Sequence, residues 1–357
     1  MKVIEIIIRR LERPLANPYP VAYGTFEAFL PIVIEARDAD GRTGWGEGHI
    51  VPGSSSETPD GGWAFCRDAA AAAVGGEIDT VTEAIAARKA DSMVATTALA
   101  SALEMLGGDP LLEITKETRL PLLAPINAKD EDAIVAEVED RLAEGFKTLK
   151  VKVGKDVDGD LARLGIVQAV ATGRATLRLD ANRGFDRAEG IRFAEGLNGD
   201  GLELFEQPCA AEDWDANAAV AAASPVPIML DEPICDLADI ERASAIDGIG
   251  LCKLKLRRFG GLGALAEALH QVRELGMEPV LGDGIAGEIC GWMEACVARS
   301  TIRNAGEFNG FLKPADGLLV NPMPFADGCL ILPAGFTPEI DRERLDGVTV
   351  AQERFAA

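Results

Sequence analysis

The 357-residue chain has no apolar run of membrane-spanning length, no CxxC pair, no GxGxxG at its first strand–helix units, two histidines and two tyrosines. A spanning helix needs roughly 20 consecutive apolar residues, so none is expected. The seven cysteines (Cys66, Cys209, Cys235, Cys252, Cys290, Cys296 and Cys329) are odd in number and scattered. That is not a disulfide framework, and reduced, mostly core, thiols are expected. Basic residues are scarce, with 35 against 58 acidic ones and a formal net charge of -23. Such a balance argues against binding nucleic acid or an anionic membrane. The opening MKVIEIIIRRLERPLANPYP alternates like a strand and lacks the apolar core and cleavage site of a signal peptide. The default compartment is therefore the cytoplasm.

What the chain does have is apolar residues, at 48%, enough for one large domain and a smaller one. The first sixty residues read as β-rich: KVIEIIIRR and PIVIEARDADGRTGWGEG carry strand periodicity, with DADGR as a turn. From about residue 60 to 108 the chain is Ala-rich and helical, until GGDP breaks the pattern. After Pro121 short apolar strands alternate with helical stretches: LAPINA, TLKVKVG, TLRLDAN, LELFEQP, PIMLDEP, GLCKLKL, EPVLGDG. This alternation predicts an α/β region with a parallel sheet. The polar residues closing the strands, Lys152, Asp180, Glu206, Asp231, Lys255 and Asp283, are spaced by 28, 26, 25, 24 and 28 residues. A βα unit of that length run seven or eight times closes into a TIM-type barrel. An open doubly wound sheet is the alternative, weakened because no GxGxxG opens the series.

In a barrel the C-terminal strand ends form the active-site face, and a charged group is rarely buried unless paired or coordinated. Asp180, Glu206 and Asp231 close consecutive strands. Neighbouring parallel strands lie about 4.8 Å apart, so three inward carboxylates would repel one another without a cation between them. Oxygen donors without His or Cys point to Mg²⁺, with Mn²⁺ as a substitute. Each carboxylate alone could be a salt bridge or helix cap; the same placement on three successive units is harder to explain that way. Two K-x-K pairs, Lys150/Lys152 and Lys253/Lys255, bracket the trio. Period two puts both lysines of a pair on one strand face. Two close ammonium groups lower each other's pKa, which suits a base. Surface lysines snorkelling at a strand edge would look the same for one pair, less so for two.

These motifs, KVKVG, LDANRGF, FEQP, LDEP, KLKLRRFGG and GEFNG in that order, resemble the enolase superfamily, mandelate racemase/muconate lactonizing enzyme family, and within it the muconate-lactonizing subgroup. The likeness spans nearly the whole chain. It implies a modified (β/α)7β barrel over residues 119–318 and an α+β capping domain over 1–118. Residues 319–357, with PMPFADGCLILP, would return to the cap. It assigns Asp180, Glu206 and Asp231 as metal ligands, and Lys152 and Lys255, five residues before Gly260–Gly261, as the acid/base pair. Sites of this superfamily use a Lys or His base with Mg²⁺ stabilising an enediolate. A homo-oligomer is expected on the same ground. The chain departs from the family in TTALASALEMLGGDP, shorter and less acidic than usual, in AGFTPEID, and in Asp283–Gly284 at the seventh strand end.

Of the histidines, His270 lies in an amphipathic helix and His49 follows GWGEG, where a structural role is expected. Neither supplies the His–Asp dyad of the mandelate-racemase subgroup. Lys150 and Lys253 are expected to tune their neighbours. Asn182 and Gln207 flank the ligands, and Glu232 is expected to hold a lysine. Glu307 in GEFNG, at the expected eighth strand, is a candidate to hydrogen-bond the substrate carboxylate. Asp283 is a candidate specificity residue. Tyr19 and Tyr23 suit a substrate lid. The expected partner is a small-molecule carboxylate. The expected reaction is proton abstraction α to it, most readily racemisation or epimerisation of an amino-acid derivative. Cycloisomerisation and dehydration need the same core, and a non-catalytic metal-binding member is the competing class.

Overall fold

A computed structural model describes residues 1–21, 24–53 and 55–357. The amino-terminal region builds a four-stranded antiparallel sheet in the order Thr349–Ala356, Val3–Leu11, Ile32–Asp38, Thr43–Gly48. Val3–Leu11 is buried on both faces because it is a central strand. One face, with Ile6, Ile8, Ile34 and Ala36, packs on helices Pro59–Ala73, Ile78–Ala86 and Met93–Gly107. On the other, Leu11, Val33 and Trp45 join the core of the barrel.

The GWGEG segment shows why its glycines alternate. A Cβ at Gly44 would lie 2.0 Å from the Ala102 carbonyl, and one at Gly46 would lie 1.9 Å from that of Ala98. The strand thus lies flush on the Met93–Gly107 helix, backbone to backbone, and period two leaves Trp45 and Glu47 pointing the other way.

The larger region is a parallel barrel. Strands 1 to 7 are Ala124–Ile126, Thr148–Lys152, Thr176–Asp180, Leu202–Glu206, Ile228–Leu230, Ile249–Leu254 and Glu278–Leu281, hydrogen-bonded in sequence order. Each is followed by a helix that covers it: Glu131–Ala143, Val157–Ala171, Arg187–Glu195, Trp214–Ala223, Leu237–Ser244, Leu262–Glu274 and Glu288–Thr301. Asp130, Asp186, Asp213 and Asp236 cap four of these helices, accepting from backbone N–H groups of the first turn. Residues 306–307 close the ring: Glu307 N–H donates to the Leu281 carbonyl, and Leu123 N–H donates to that of Gly306. The eighth position is thus filled by a short segment bonded on both sides. Gly282 permits it, since a Cβ there would meet the Phe308 nitrogen at 2.4 Å.

We propose the division of the chain after residues 118 and 318. The pairing of Thr349–Ala356 with Val3–Leu11 supports it. Among the described residues no helix is long and apolar enough to cross a membrane.

Candidate active site

Strand register brings the candidate residues level. Lys152 pairs with Asp180, and Asp180 with Glu206, across strands 2, 3 and 4. Lys150, two residues earlier on the same face, sends its ammonium up between the carboxylates. Its Nζ lies 2.8 Å from Asp180 Oδ2, 2.8 Å from Glu206 Oε2 and 2.9 Å from Glu307 Oε2. Lys152 Nζ donates to Asp180 Oδ2 and Asn182 Oδ1, both at 2.5 Å. Lys253 Nζ reaches Glu206 Oε1 at 3.0 Å and also pairs with Glu307. Asp231 is turned to the other side: Lys255 Nζ lies 2.8 Å from Oδ2 and Arg258 Nη1 2.9 Å from Oδ1. Asp180, Glu206, Asp231, Lys150, Lys253 and Lys255 are all buried. Lys152 is the open member, with a third of its side chain (34%) accessible.

The backbone at the strand ends is bent to hold this arrangement. Asn182 (φ 44°), Arg183 (φ 67°) and Gln207 (φ 38°) adopt the left-handed region that side chains avoid. Gln207 Nε2 donates to the Cys209 carbonyl at 3.0 Å and its Oε1 accepts from Asp231 N–H at 2.9 Å. Gln207 thereby fixes the start of the Asp231 loop.

Burial and pairing split the three carboxylates. For Asp180, burial is outweighed by Lys150, Lys152 and Lys253, which hold it at about 2. Asp231 lies well below the ordinary range, because Lys255, Arg258 and Lys253 outweigh its burial. Glu206 goes the other way, to about 7, because burial and the Asp180 charge exceed what Lys150 and Lys253 return. Burial pulls Lys150 down, yet Asp180, Glu206 and Glu307 hold it well above an ordinary lysine. Lys253 behaves alike: Glu206 and Glu307 outweigh its burial. Lys255 is lowered, first by burial and then by Arg258, Lys253 and Arg257, against the pull of Asp231.

The mouth corrects two expectations and adds residues. Glu232 holds an arginine rather than a lysine, with Arg183 Nε 3.4 Å from its Oε1. Lys255, the lysine within reach, is taken by Asp231. Glu307 is occupied by Lys150 and Lys253 and so serves the barrel interior rather than standing free for a substrate. Asp283 is neutralised by Arg257 Nε at 2.8 Å and receives Ile285 N–H. His49 accepts Leu30 N–H at 3.2 Å and packs on Phe29; burial lowers it to about 4, so it is a neutral structural group. His270 is exposed on its helix. Tyr19 stands at the mouth, its hydroxyl 3.6 Å from where a Cβ on Gly284 would be. Tyr23 lies outside the described residues. Arg257, Arg258, Arg183, Lys313 and Glu294 join the site unanticipated. Glu294 reaches from the last barrel helix to accept from Leu256 and Asp283 N–H. Arg257 and Arg258 stand in plain view in KLKLRRFGG and Arg183 in LDANRGF; nothing in the sequence marks Lys313 or Glu294.

A family model described as enolase C-terminal domain-like matches residues 133–344. The chain belongs to the enolase superfamily, in the mandelate racemase/muconate lactonizing enzyme family. Among relatives in the family, it is 31% identical over 277 residues to an L-Lys-D/L-Arg epimerase of Methylococcus capsulatus, covering 73% of this chain and 77% of that one. To muconate cycloisomerase 1 of Acinetobacter baylyi it is 24% identical, over 97% and 98% of the two chains. The fold superimposes on a dipeptide epimerase of Cytophaga hutchinsonii, solved with Mg and D-Ala-L-Val, at a TM-score of 0.90 and 20% identity over 99% and 100% of the chains. These relatives are all isomerases.

The site residues fit a divalent cation. The donors are oxygen only. Asp180 and Glu206 already converge on one positive centre, the Lys150 ammonium. Glu206 Oε2 and Asp231 Oδ1 are buried without a hydrogen bond of good geometry. Among the described residues no three such side chains stand ready as a cage, because lysine and arginine cations lie between them.

Proposed function

We propose that this chain is a racemase or epimerase of an amino-acid derivative, of the muconate-lactonizing subgroup, moving the proton α to a carboxylate. One observation carries the reading: Lys152 and Lys255 stand at the ends of strands 2 and 6. Those positions are four apart in a ring of eight, hence opposite one another across the mouth. A carbon held between them presents one face to each lysine. Lys152 takes or returns the proton on one face and Lys255 on the other. Asn182 and Asp180 aim the Lys152 ammonium. Asp231 and Arg258 aim that of Lys255, and its lowered pKa eases release of its proton.

Asp180, Glu206 and Asp231 would hold Mg²⁺, whose charge would offset the negative charge that develops on the substrate carboxylate. Lys150 and Lys253 keep the carboxylates apart and orient them from below. The test is α-proton exchange in deuterated solvent, enantiomer by enantiomer, over N-acyl amino acids and dipeptides. Lys152→Ala should block exchange from one enantiomer and spare the other, and Lys255→Ala should show the mirror behaviour. Racemisation should fall at least 100-fold in both. Equal loss from both enantiomers in both variants, with the fold intact, would refute the two-base assignment.

A second reading, cycloisomerisation by a single base, is favoured by one asymmetry. Lys152 is open to the mouth, while Lys255 is buried between Asp231 and two arginines. Under it Lys152 alone is needed for exchange, and Lys255 acts through its charge.

A further inference from the structure

One cation at the barrel mouth has no anion. Lys313 follows the short turn Gly310–Leu312 and is partly open to solvent. Its Nζ donates to the Gly284 carbonyl at 2.5 Å and to Asn309 Oδ1 at 3.1 Å, and lies 4.7 Å from the centre of the Tyr19 ring. All three neighbours are neutral. The other cations of the site, Lys150, Lys152, Lys253, Lys255, Arg183, Arg257 and Arg258, each have a carboxylate oxygen at 3.4 Å or closer. Among the described residues Lys313 has none. An ammonium has three N–H donors, so one remains after Gly284 and Asn309.

The setting is built in advance. Asn309 Nδ2 donates to the Leu123 carbonyl at 3.0 Å, which turns its Oδ1 toward Lys313. Ala16 N–H donates to the Lys313 carbonyl and Ala315 N–H to that of Pro14, both at 2.9 Å. The cap strand Arg13–Val21, which carries Tyr19, is thus bonded to the segment that carries Lys313. Burial pulls Lys313 to about 8, with Glu307 and Asp283 offsetting it in part at longer range; the group stays mainly charged at neutral pH. A half-buried charge with a spare donor and no carboxylate in contact is a ready partner for an anion that enters the mouth.

We propose that Lys313, under the Tyr19 ring and beside Asn309, binds a second carboxylate of the substrate, remote from the reacting α-carbon. The substrate class is then a dicarboxylate: an N-acyl amino acid or dipeptide with one carboxylate at the reacting centre and another in its acyl group or second side chain. A single spare donor suits one carboxylate oxygen. The inference rests on the placement of the reacting carbon between Lys152 and Lys255.

Two ligand pairs test it, each differing only in the distal charge: N-succinyl-L-methionine against its succinamide counterpart, and L-Ala-L-Glu against L-Ala-L-Gln. Binding is measured by calorimetry with Mg²⁺ present, so the readout does not need turnover. The wild type should prefer the dicarboxylate by about tenfold or more in at least one pair. Lys313→Met should bring that ratio to within about twofold, and Lys313→Arg should keep most of it. No preference in either pair in the wild type, or a preference undiminished in Lys313→Met, would overturn the proposal. If Lys313→Met fails to fold, Lys313→Gln takes its place. Deuterium exchange by the wild type on the same ligands separates the two readings. Exchange without charge preference removes the subsite alone, and preference without exchange removes the racemase reading alone.

Discussion

Gln207 occupies a backbone conformation that costs a non-glycine residue about 1–2 kcal/mol, and its two side-chain hydrogen bonds hold it there. It touches no candidate reacting atom; it sets where Asp231 begins. Gln207→Ala should therefore weaken Mg²⁺ binding by roughly 10–100-fold, read as a higher Mg²⁺ concentration needed to raise the thermal midpoint. Gln207→Gly relieves the backbone but not the lost bonds and should behave similarly in Mg²⁺ affinity. An unchanged Mg²⁺ midpoint in both variants would show that Gln207 is only a turn residue. At this scale the sequence was legible where a charge interrupts or closes an apolar run, as at Asp180, Glu206 and Lys152. It was not legible where a charge comes from a loop or helix far along the chain. Lys313 and Glu294 look like ordinary helix-end and helix-interior charges until the barrel closes. Glu232 was paired with the wrong cation because Arg183 reaches it from the preceding ligand strand but one.

Helices and strands are joined across the two regions by two glutamates, Glu47 buried and Glu104 half-buried. Glu47, on the cap strand Thr43–Gly48, accepts from the N–H groups of Gly287, Ile289 and Cys290 at the start of the last barrel helix. Glu104, on the cap helix Met93–Gly107, does the same for Leu262. Such an end attracts a carboxylate. Yet burial, with Glu288 nearby, raises Glu47 from 4.5 to about 7 despite Arg13 and those N–H groups. A raised folded-state pKa means the folded protein holds a proton that the unfolded chain releases. The Glu47 contribution is therefore present below pH 4.5 and declines as pH rises to about 7. His49, lowered from 6.5 to about 4, acts in the opposite sense, losing its contribution as pH falls through that range. Glu47→Gln isolates the first effect. Between pH 5 and 8 the wild type should lose roughly 1–3 kcal/mol more stability than the variant, measured by denaturant unfolding at each pH. Parallel pH curves for the two proteins would place the proton elsewhere. The barrel strands and helices were legible from their period of 24–28 residues. These cross-region caps were not, since GWGEG and TTALASALEML carry no sign of the helices they meet.

Over the whole molecule, Val3–Leu11 and Thr349–Ala356 meet in one sheet. Val3–Leu11 is paired on one side by Thr349–Ala356, and Arg9 bonds to Gln352 across a separation of 343 residues. Glu353 is held by Arg67, and Ala357 N–H reaches the Ile4 carbonyl at 3.0 Å. Removing residues 349–357 should bare the edge of Val3–Leu11 and lower the thermal midpoint by several degrees or more, with self-association visible by gel filtration. A truncated chain that stays monomeric with an unchanged midpoint would show the last strand to be dispensable. The pairing supports the proposed return of residues 319–357 to the cap, a division that rests on the family resemblance and not on periodicity.

The closing of that sheet also sets an order of events during synthesis. Val3–Leu11 is made before every barrel unit, while its outer partner Thr349–Ala356 is made after them all. Until Thr349–Ala356 is made, one side of Val3–Leu11 has no mate. A nascent chain in that state is a ready acceptor for a stray strand from a neighbour. Joining residue 357 to residue 1 through a short linker and opening the chain elsewhere would remove the wait, giving up at that junction the ion pair of the Met1 amino group with Glu77.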